Sequence, residues 1–175
     1  MRRLRAGGQA AAVALVGALV LCCAASGGKW RDGRFSDPAL GGSLGDLAAL
    51  EPGWRMERAP DATLAFRHAD GSRASWLREC RAAAVKPKAL GRALWIGLPG
   101  AQVEESAAHE VAGASGWRLA GRAQAGEHGL RVATITRVGP RCEDSFLLVV
   151  PHAALLHRAA FESWVGGFAD GESAR

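Results

Sequence analysis

The spacing of apolar positions changes along the chain, and each change marks an element. Over 62–68, Leu64 and Phe66 fall two apart, the alternation of a strand with one buried face. Asp70 and Gly71 come next, a pair suited to the positive backbone angles of a tight hairpin turn. The chain then returns over 73–80 with Ala74 and Trp76 on one face. At Pro87 the period lengthens. Proline suits the first turn of a helix, and Leu90, Leu94, Gly97 and Leu98 recur at helical spacing until Gly100 releases the chain. An extended stretch over 102–112 leads into three strands, 117–125, 130–138 and 145–150. Their short connections, 126–129 and Gly139 with Pro140, require antiparallel neighbours, because a parallel crossover takes about a dozen residues or more. The run 146–150 is apolar throughout, as expected of a central strand covered on both faces. Beyond Pro151 a helix over 153–168 carries Phe161, Trp164, Val165 and Phe168 on one stripe.

A hairpin, a helix, an antiparallel meander and a closing helix make an α+β protein, an antiparallel β-sheet packed against two main helices. This predicts one domain over 54–170 and a frayed tail over 171–175. Residues 23–53 are rich in Gly, Ser and Asp and contain Pro38 and Pro52, which reads as a flexible tether. One short helix over 44–50 is expected within it, capped by Ser43 with Asp46 in the first turn.

Residues 1–22 follow neither pattern. Arg2, Arg3 and Arg5 precede an uncharged apolar run over 10–21, and small residues follow, the layout of a secretory signal peptide. The run is short for a comfortable membrane span, although an uncleaved N-terminal anchor stays open as an alternative. The segment also resembles a bacterial lipoprotein signal, with Val20, Leu21 and Cys22 ahead of Cys23. Cys22 fits less well because the bulky Leu21 precedes it. The resemblance implies lipidation, with palmitate among the acyl chains, at Cys23 and a lipid-anchored protein facing the periplasm. Cleavage after Ala25 is the alternative and gives a soluble periplasmic protein.

The chain has 175 residues, 49% hydrophobic and 22% charged, which suits one modest folded domain and excludes a multidomain enzyme. Its formal charge of +5 does not point to nucleic acid. Without Arg2, Arg3 and Arg5 the 22 cations fall to 19 against 17 anions, and the remaining arginines are scattered among acids rather than gathered in a stripe. The chemistry read from the motifs is sparse. Gly41, Gly42, Ser43, Leu44 and Gly45 spell G-x-S-x-G, yet no buried strand precedes Ser43 and no long helix follows, as a nucleophile elbow requires. His68, His109, His128, His152 and His157 form no metal-binding spacing and are read as solvated, with His152 and His157 five apart and on different helix faces. His109 and Glu110 near Glu104 and Glu105 read as a solvated face. No phosphate-binding loop occurs. The reading assigns no catalytic residue, no metal ligand and no cofactor. Of the six tryptophans, Trp76, Trp117 and Trp164 fall at core positions, while Trp30 and Trp54 at the tether are available to a membrane surface or a partner.

Cys80 and Cys142 remain in the mature domain. Export to an oxidising compartment favours their bonding, and an antiparallel sheet would bring the end of one strand and the start of another to a common edge. No C-x-x-C spacing is present to make them redox-active.

The strand at Leu64 and Phe66, the strand Leu130, Arg131, Val132, Ala133, Thr134, Ile135 and Thr136, and the ending from Phe146 to Pro151 with Phe161, Ser163, Trp164 and Phe168 together resemble the PsbP/Mog1-like group. That group includes small exported bacterial lipoproteins; the chain is equally similar to uncharacterised lipoproteins of Gram-negative envelopes. The resemblance implies a PsbP/Mog1-like sandwich. It also implies a non-catalytic, membrane-tethered accessory or interaction domain, partnered by the membrane through its lipid and by an envelope protein complex. An apolar-ligand (lipid) binding module of the periplasm is the alternative, and a hydrolase the minor one.

Overall fold

The computed structural model describes residues 28–80 and 85–171. A small sheet begins the chain with β1 (Lys29–Arg31), β2 (Arg34–Asp37) and β3 (Gly42–Gly45), followed by a single 3₁₀ turn, Leu47–Ala49. Next come β4 (Trp54–Glu57), β5 (Leu64–His68), β6 (Arg73–Cys80), helix α1 (Pro87–Ile96), β7 (Gln102–Val111), β8 (Ala114–Ala125), β9 (His128–Val138) and β10 (Cys142–Val150). Helix α2 (Arg158–Gly166) and the two-residue β11 (Ala169–Asp170) end it. The strands form two antiparallel sheets, a seven-stranded one ordered β4-β5-β6-β10-β9-β8-β7 and a four-stranded one ordered β1-β2-β3-β11. This is the expected α+β class. The apolar β10 stands in the middle of the large sheet, between β6 and β9.

Strand alternation sorts side chains to two cores. Leu64, Phe66, Trp76, Ile135, Phe146, Leu148 and Val150 meet Phe35, Leu44 and Leu47 of the amino-terminal segment and Phe161, Trp164 and Val165 of α2. Burying each large side chain contributes roughly 1.5–3 kcal/mol, and the rings pack edge to face, Trp164 against Phe66 at 5.7 Å and against Phe146 at 6.2 Å. On the opposite face α1 lays Trp95 on Leu119, Ala123 and Val132, with Trp95 Nε1 donating to Thr134 Oγ1 at 3.0 Å. Gly121 permits a close approach at the outer edge, where the β7–β8 register shifts between Val103 and Glu105. A Cβ at Gly121 would lie 2.1 Å from the Gln102 carbonyl oxygen, so only glycine fits there.

Four expectations change. Residues 28–53 are folded onto the domain: Leu44 and Leu47 are buried in the main core, and β3 pairs with both β2 and the carboxy-terminal β11. The reason is local alternation too short to stand out by itself; Phe35 and Leu44 are cross-strand partners facing inward. The short helix is the turn Leu47–Ala49, capped by Asp46, whose Oδ1 accepts from the Ala48 amide at 2.9 Å, while Ser43 sits in β3. The closing helix begins at Arg158 because His157 holds a left-handed backbone, φ 61°, that breaks helical continuity with the preceding residues. Trp54 is buried, 3% exposed, against His68 and His157, which leaves no face for a membrane. No described helix is long and apolar enough to cross a membrane.

Beneath the main core lies a buried charge network absent from the sequence reading. Arg78 reaches Asp144 at 3.0 Å and Asp170 at 2.9 Å. Arg137 reaches Asp144 at 2.8 Å and also pairs with Asp170. Trp76 Nε1 donates to Asp144 at 2.9 Å, and Arg78 Nε donates to the Leu40 carbonyl at 2.9 Å. The ring of Phe168 packs against both guanidiniums, 5.7 Å from Arg78 and 5.2 Å from Arg137. Among the described residues two guanidiniums face two carboxylates, so the network fastens β11 and the β2–β3 turn to the large sheet with its buried charges compensated.

Candidate functional site

Three stretches distant in sequence meet at the end of the large sheet: residues 51–54, 68–70 and 152–157. Register places Trp54 opposite His68 across β4 and β5. Gly53, at φ +100°, precedes it; a Cβ there would lie 2.3 Å from His68 Nε2, so glycine is what lets the imidazole sit down. The β5–β6 turn is fixed by Gly71 at φ +93° and by the Ser72 amide, which donates to Asp70 Oδ1 at 2.8 Å. The expected Asp70–Gly71 turn thereby acquires a second use, aiming the Asp70 carboxylate back at His68. His157 enters from the start of α2.

The contacts converge on Asp70. Its Oδ1 lies 2.9 Å from His68 Nδ1 and its Oδ2 lies 2.9 Å from His157 Nε2, while His152 Nε2 stands 3.4 Å from Oδ2. The far nitrogens are also held. His157 Nδ1 lies 2.9 Å from Glu51 Oε1, Glu51 Oε2 accepts from Trp54 Nε1 at 3.1 Å, and His68 Nε2 lies 3.3 Å from the Pro52 carbonyl oxygen. The two imidazoles lie 4.2 Å apart between centroids with their planes tilted by 49°, and Trp54 packs on each at 5.2 Å. Burial opposes charge on His157, yet its hydrogen bonds to Asp70 and Glu51 outweigh this and raise its pKa above 6.5. Burial likewise opposes ionisation of Asp70 and Glu51, and the hydrogen bonds from His157 and, for Glu51, from Trp54 outweigh it and hold both below the usual carboxylate range. The group therefore suits positive charge: donor atoms of His68, Asp70 and His157 all lie within 4.8 Å of one another, close enough that together they could hold a metal ion.

This corrects the reading of His68 and His157 as solvated: both rings are largely enclosed, while His152 stays exposed. His152 and His157 both precede the first residue of α2, so helical spacing does not govern them, and the fold brings them with His68 to one carboxylate. The sequence clue was slight: His68 and Asp70 flank a tight turn two residues apart.

The other candidates lie elsewhere. Ser43 Oγ accepts from Arg34 at 3.3 Å within β3, in a strand instead of an elbow. Glu104 and Glu105 engage Arg122, Arg131 and Arg158 along the edge strand β7. Cys80 and Cys142 are register partners on β6 and β10 and are joined by a disulfide; the bond spans two central strands and not a sheet edge, because the strand order puts β6 beside β10. Cys23 lies outside the described residues. Among the described residues, one cavity of about 270 Å³ opens beside the disulfide, lined by Leu40, Cys80, Arg141 and Cys142. Another of about 150 Å³ lies under α1, lined by Leu77, Leu90, Leu94 and Glu143. Both fall below the roughly 300–1,000 Å³ of ordinary ligand pockets.

No family model matches the chain, and no curated protein matches it. Solved structures do. LpqN, involved in cell envelope biogenesis of Mycobacterium tuberculosis, shares the fold at a TM-score of 0.56 and 15% identity over 66% of this chain and 76% of its own. The cyanobacterial PsbP (CyanoP) of Synechocystis matches at 0.58 and 14%, over 78% and 91%. A protein of Bacteroides thetaiotaomicron matches at 0.56 and 9%, covering 78% of this chain and 47% of that one. At these identities the likeness concerns the fold, which is PsbP-like.

Proposed function

We propose that this protein is an exported, non-catalytic domain that serves as an accessory or interaction module in a bacterial cell envelope, anchored by lipid at Cys23 and facing the periplasm. The observation that carries the reading is the Cys80–Cys142 disulfide between adjacent central strands, since such bonds persist in oxidising compartments and are rare in the cytosol. The fold shared with LpqN, itself described as involved in envelope biogenesis, supports the same reading, as does the lipoprotein-like signal ahead of Cys23. The small size of the two cavities favours a partner surface over an enclosed lipid.

Radiolabelled palmitate and membrane fractionation test the anchor. The wild-type chain is expected to take up label and sediment with membranes. Cys23→Ala is expected to lose the label and yield unlipidated precursor or soluble protein, whereas Cys22→Ala keeps it. Full labelling of Cys23→Ala would overturn the anchor. Cross-linking in intact host cells tests the module: the expected result is a discrete adduct with an envelope protein, and recovery of the chain with bound lipid and no protein adduct would favour the ligand-binding alternative.

A further inference from the structure

We propose that His68, Asp70 and His157 are the ligands of a divalent transition-metal site, of which Zn²⁺ is the best-fitting ion, with His152 as the fourth ligand. This goes beyond the envelope role and does not depend on it.

The first argument is the direction of the ring nitrogens. A metal-binding histidine nearly always gives its other N–H to a carboxylate or a carbonyl, which fixes tautomer and ring plane. Both half-buried histidines, His68 and His157, have that arrangement. His157 turns Nδ1 to Glu51 at 2.9 Å and Nε2 inward; His68 turns Nε2 to the Pro52 carbonyl at 3.3 Å and Nδ1 inward. The Asp70 amide donates to His68 Nδ1 at 3.3 Å, so this nitrogen carries its lone pair, and ligation of a metal gives up that long bond. The inward lone pair and the Asp70 carboxylate then face each other at 2.9 Å and call for a cation between them.

The second argument is geometric. Zinc–nitrogen bonds of about 2.0–2.1 Å in a tetrahedron separate ligand atoms by roughly 3.3 Å. Asp70 Oδ1 lies 2.9 Å from His68 Nδ1, and its Oδ2 lies 2.9 Å from His157 Nε2 and 3.4 Å from His152 Nε2; with the His68, Asp70 and His157 donors within 4.8 Å of one another, side-chain shifts on the order of an ångström draw the nitrogens onto one ion. His68 and His157 are held for it by Trp54, packed on both rings, and by the bare Gly53 backbone. The left-handed backbone of His157 is uncommon for a residue with a side chain, and its ring makes no capping bond to α2. The conformation serves to turn the ring toward Asp70. The His152 side chain is 42% exposed, which leaves the entry side open to an ion from solvent. Three imidazoles and one carboxylate select a borderline ion such as zinc over Ca²⁺ or Mg²⁺, which prefer oxygen.

The test uses the full chain purified in detergent, stripped with a chelator and titrated with Zn²⁺ against a chromophoric competitor. One equivalent is expected to bind, Mg²⁺ and Ca²⁺ in excess leaving it in place, and Co²⁺ is expected to give the visible absorption of a four-coordinate ion. Asp70→Asn and His157→Gln are expected to weaken Zn²⁺ by about 100-fold or more. The outer-shell Glu51→Gln and the exposed His152→Ala are expected to weaken it by roughly 10-fold. His128→Ala, at an exposed position, changes nothing. Because His152→Ala removes an exposed ring, it keeps the test decisive if a buried variant fails to fold. Wild-type binding no tighter than that of His152→Ala and Asp70→Asn, or loss of binding in His128→Ala alone, would overturn the site.

Discussion

Asp144→Asn isolates the buried charge network in the smallest change that can break it. The Asp144 side chain is fully buried and accepts from Trp76 Nε1, from Arg78 Nη1 at both oxygens and from Arg137 Nη1. Asparagine keeps the shape, but one acceptor becomes an NH₂ donor aimed at guanidinium or indole N–H groups. Two arginines then share the single charge of Asp170. Breaking a buried pair by removing one partner costs about 3–5 kcal/mol, because the uncompensated charge cannot reach water. At about 2–4 °C per kcal/mol for a domain of this size, the melting temperature should fall by on the order of 10 °C. Urea unfolding of the purified Cys23→Ala chain, followed by tryptophan fluorescence, reads the loss as a lower midpoint at an unchanged slope. Adding Arg137→Met removes one of the two guanidiniums left facing Asp170, so the double variant should be no less stable than Asp144→Asn alone. Glu105→Gln is the control: its bidentate contact to Arg158, 2.7 Å at each oxygen, is nearly half exposed and worth under about 1 kcal/mol. A loss below about 1 kcal/mol for Asp144→Asn, or a double variant that is additively worse, would refute the charge-balance argument.

The disulfide closes a separation of 62 residues, worth about 4 kcal/mol in the chain-entropy treatment. Paired Cys80→Ala and Cys142→Ala substitutions should lower the urea midpoint accordingly, and two alkylatable thiols in the exported wild type would contradict the bond. Gly121→Ala should cost about 1–3 kcal/mol as its new methyl meets the Gln102 carbonyl, with the fastest amide exchange appearing in β7. In chelator-treated protein the raised pKa of His157 contributes stability that is complete below its ordinary 6.5 and lost as pH rises through the folded value. The lowered pKa values of Asp70 and Glu51 contribute stability present above their ordinary 3.8 and 4.5 and lost as pH falls. The part of the stability that depends on these residues should therefore peak in weakly acidic solution, and a urea midpoint difference between wild type and His157→Gln that is flat from pH 5 to 9 would contradict it.

Elements whose side chains report their own period were legible from residue order alone. The strand–turn–strand around Asp70 and Gly71, the helix opened by Pro87, the antiparallel meander and the central position of β10 each follow from spacing within about ten residues. The pairing of Cys80 with Cys142 followed from the context of export. What the sequence could not contain was any property set by contact between distant segments. The strands of 28–53 hold four residues or fewer each, too short for a period to emerge over the Gly and Ser around them, and they are held by β11 and by arginines carried on β6 and β9. The charges of Arg78, Arg137, Asp144 and Asp170 look like ordinary surface charge until strand order brings them together out of water. His68, His152 and His157 carry no common spacing because they arrive on a strand end, a bend and a helix cap. The local turn sets His68 beside Asp70, and tertiary structure alone decided that His152 and His157 join them, since only the fold of the segment leading into α2 brings their nitrogens within reach of that carboxylate.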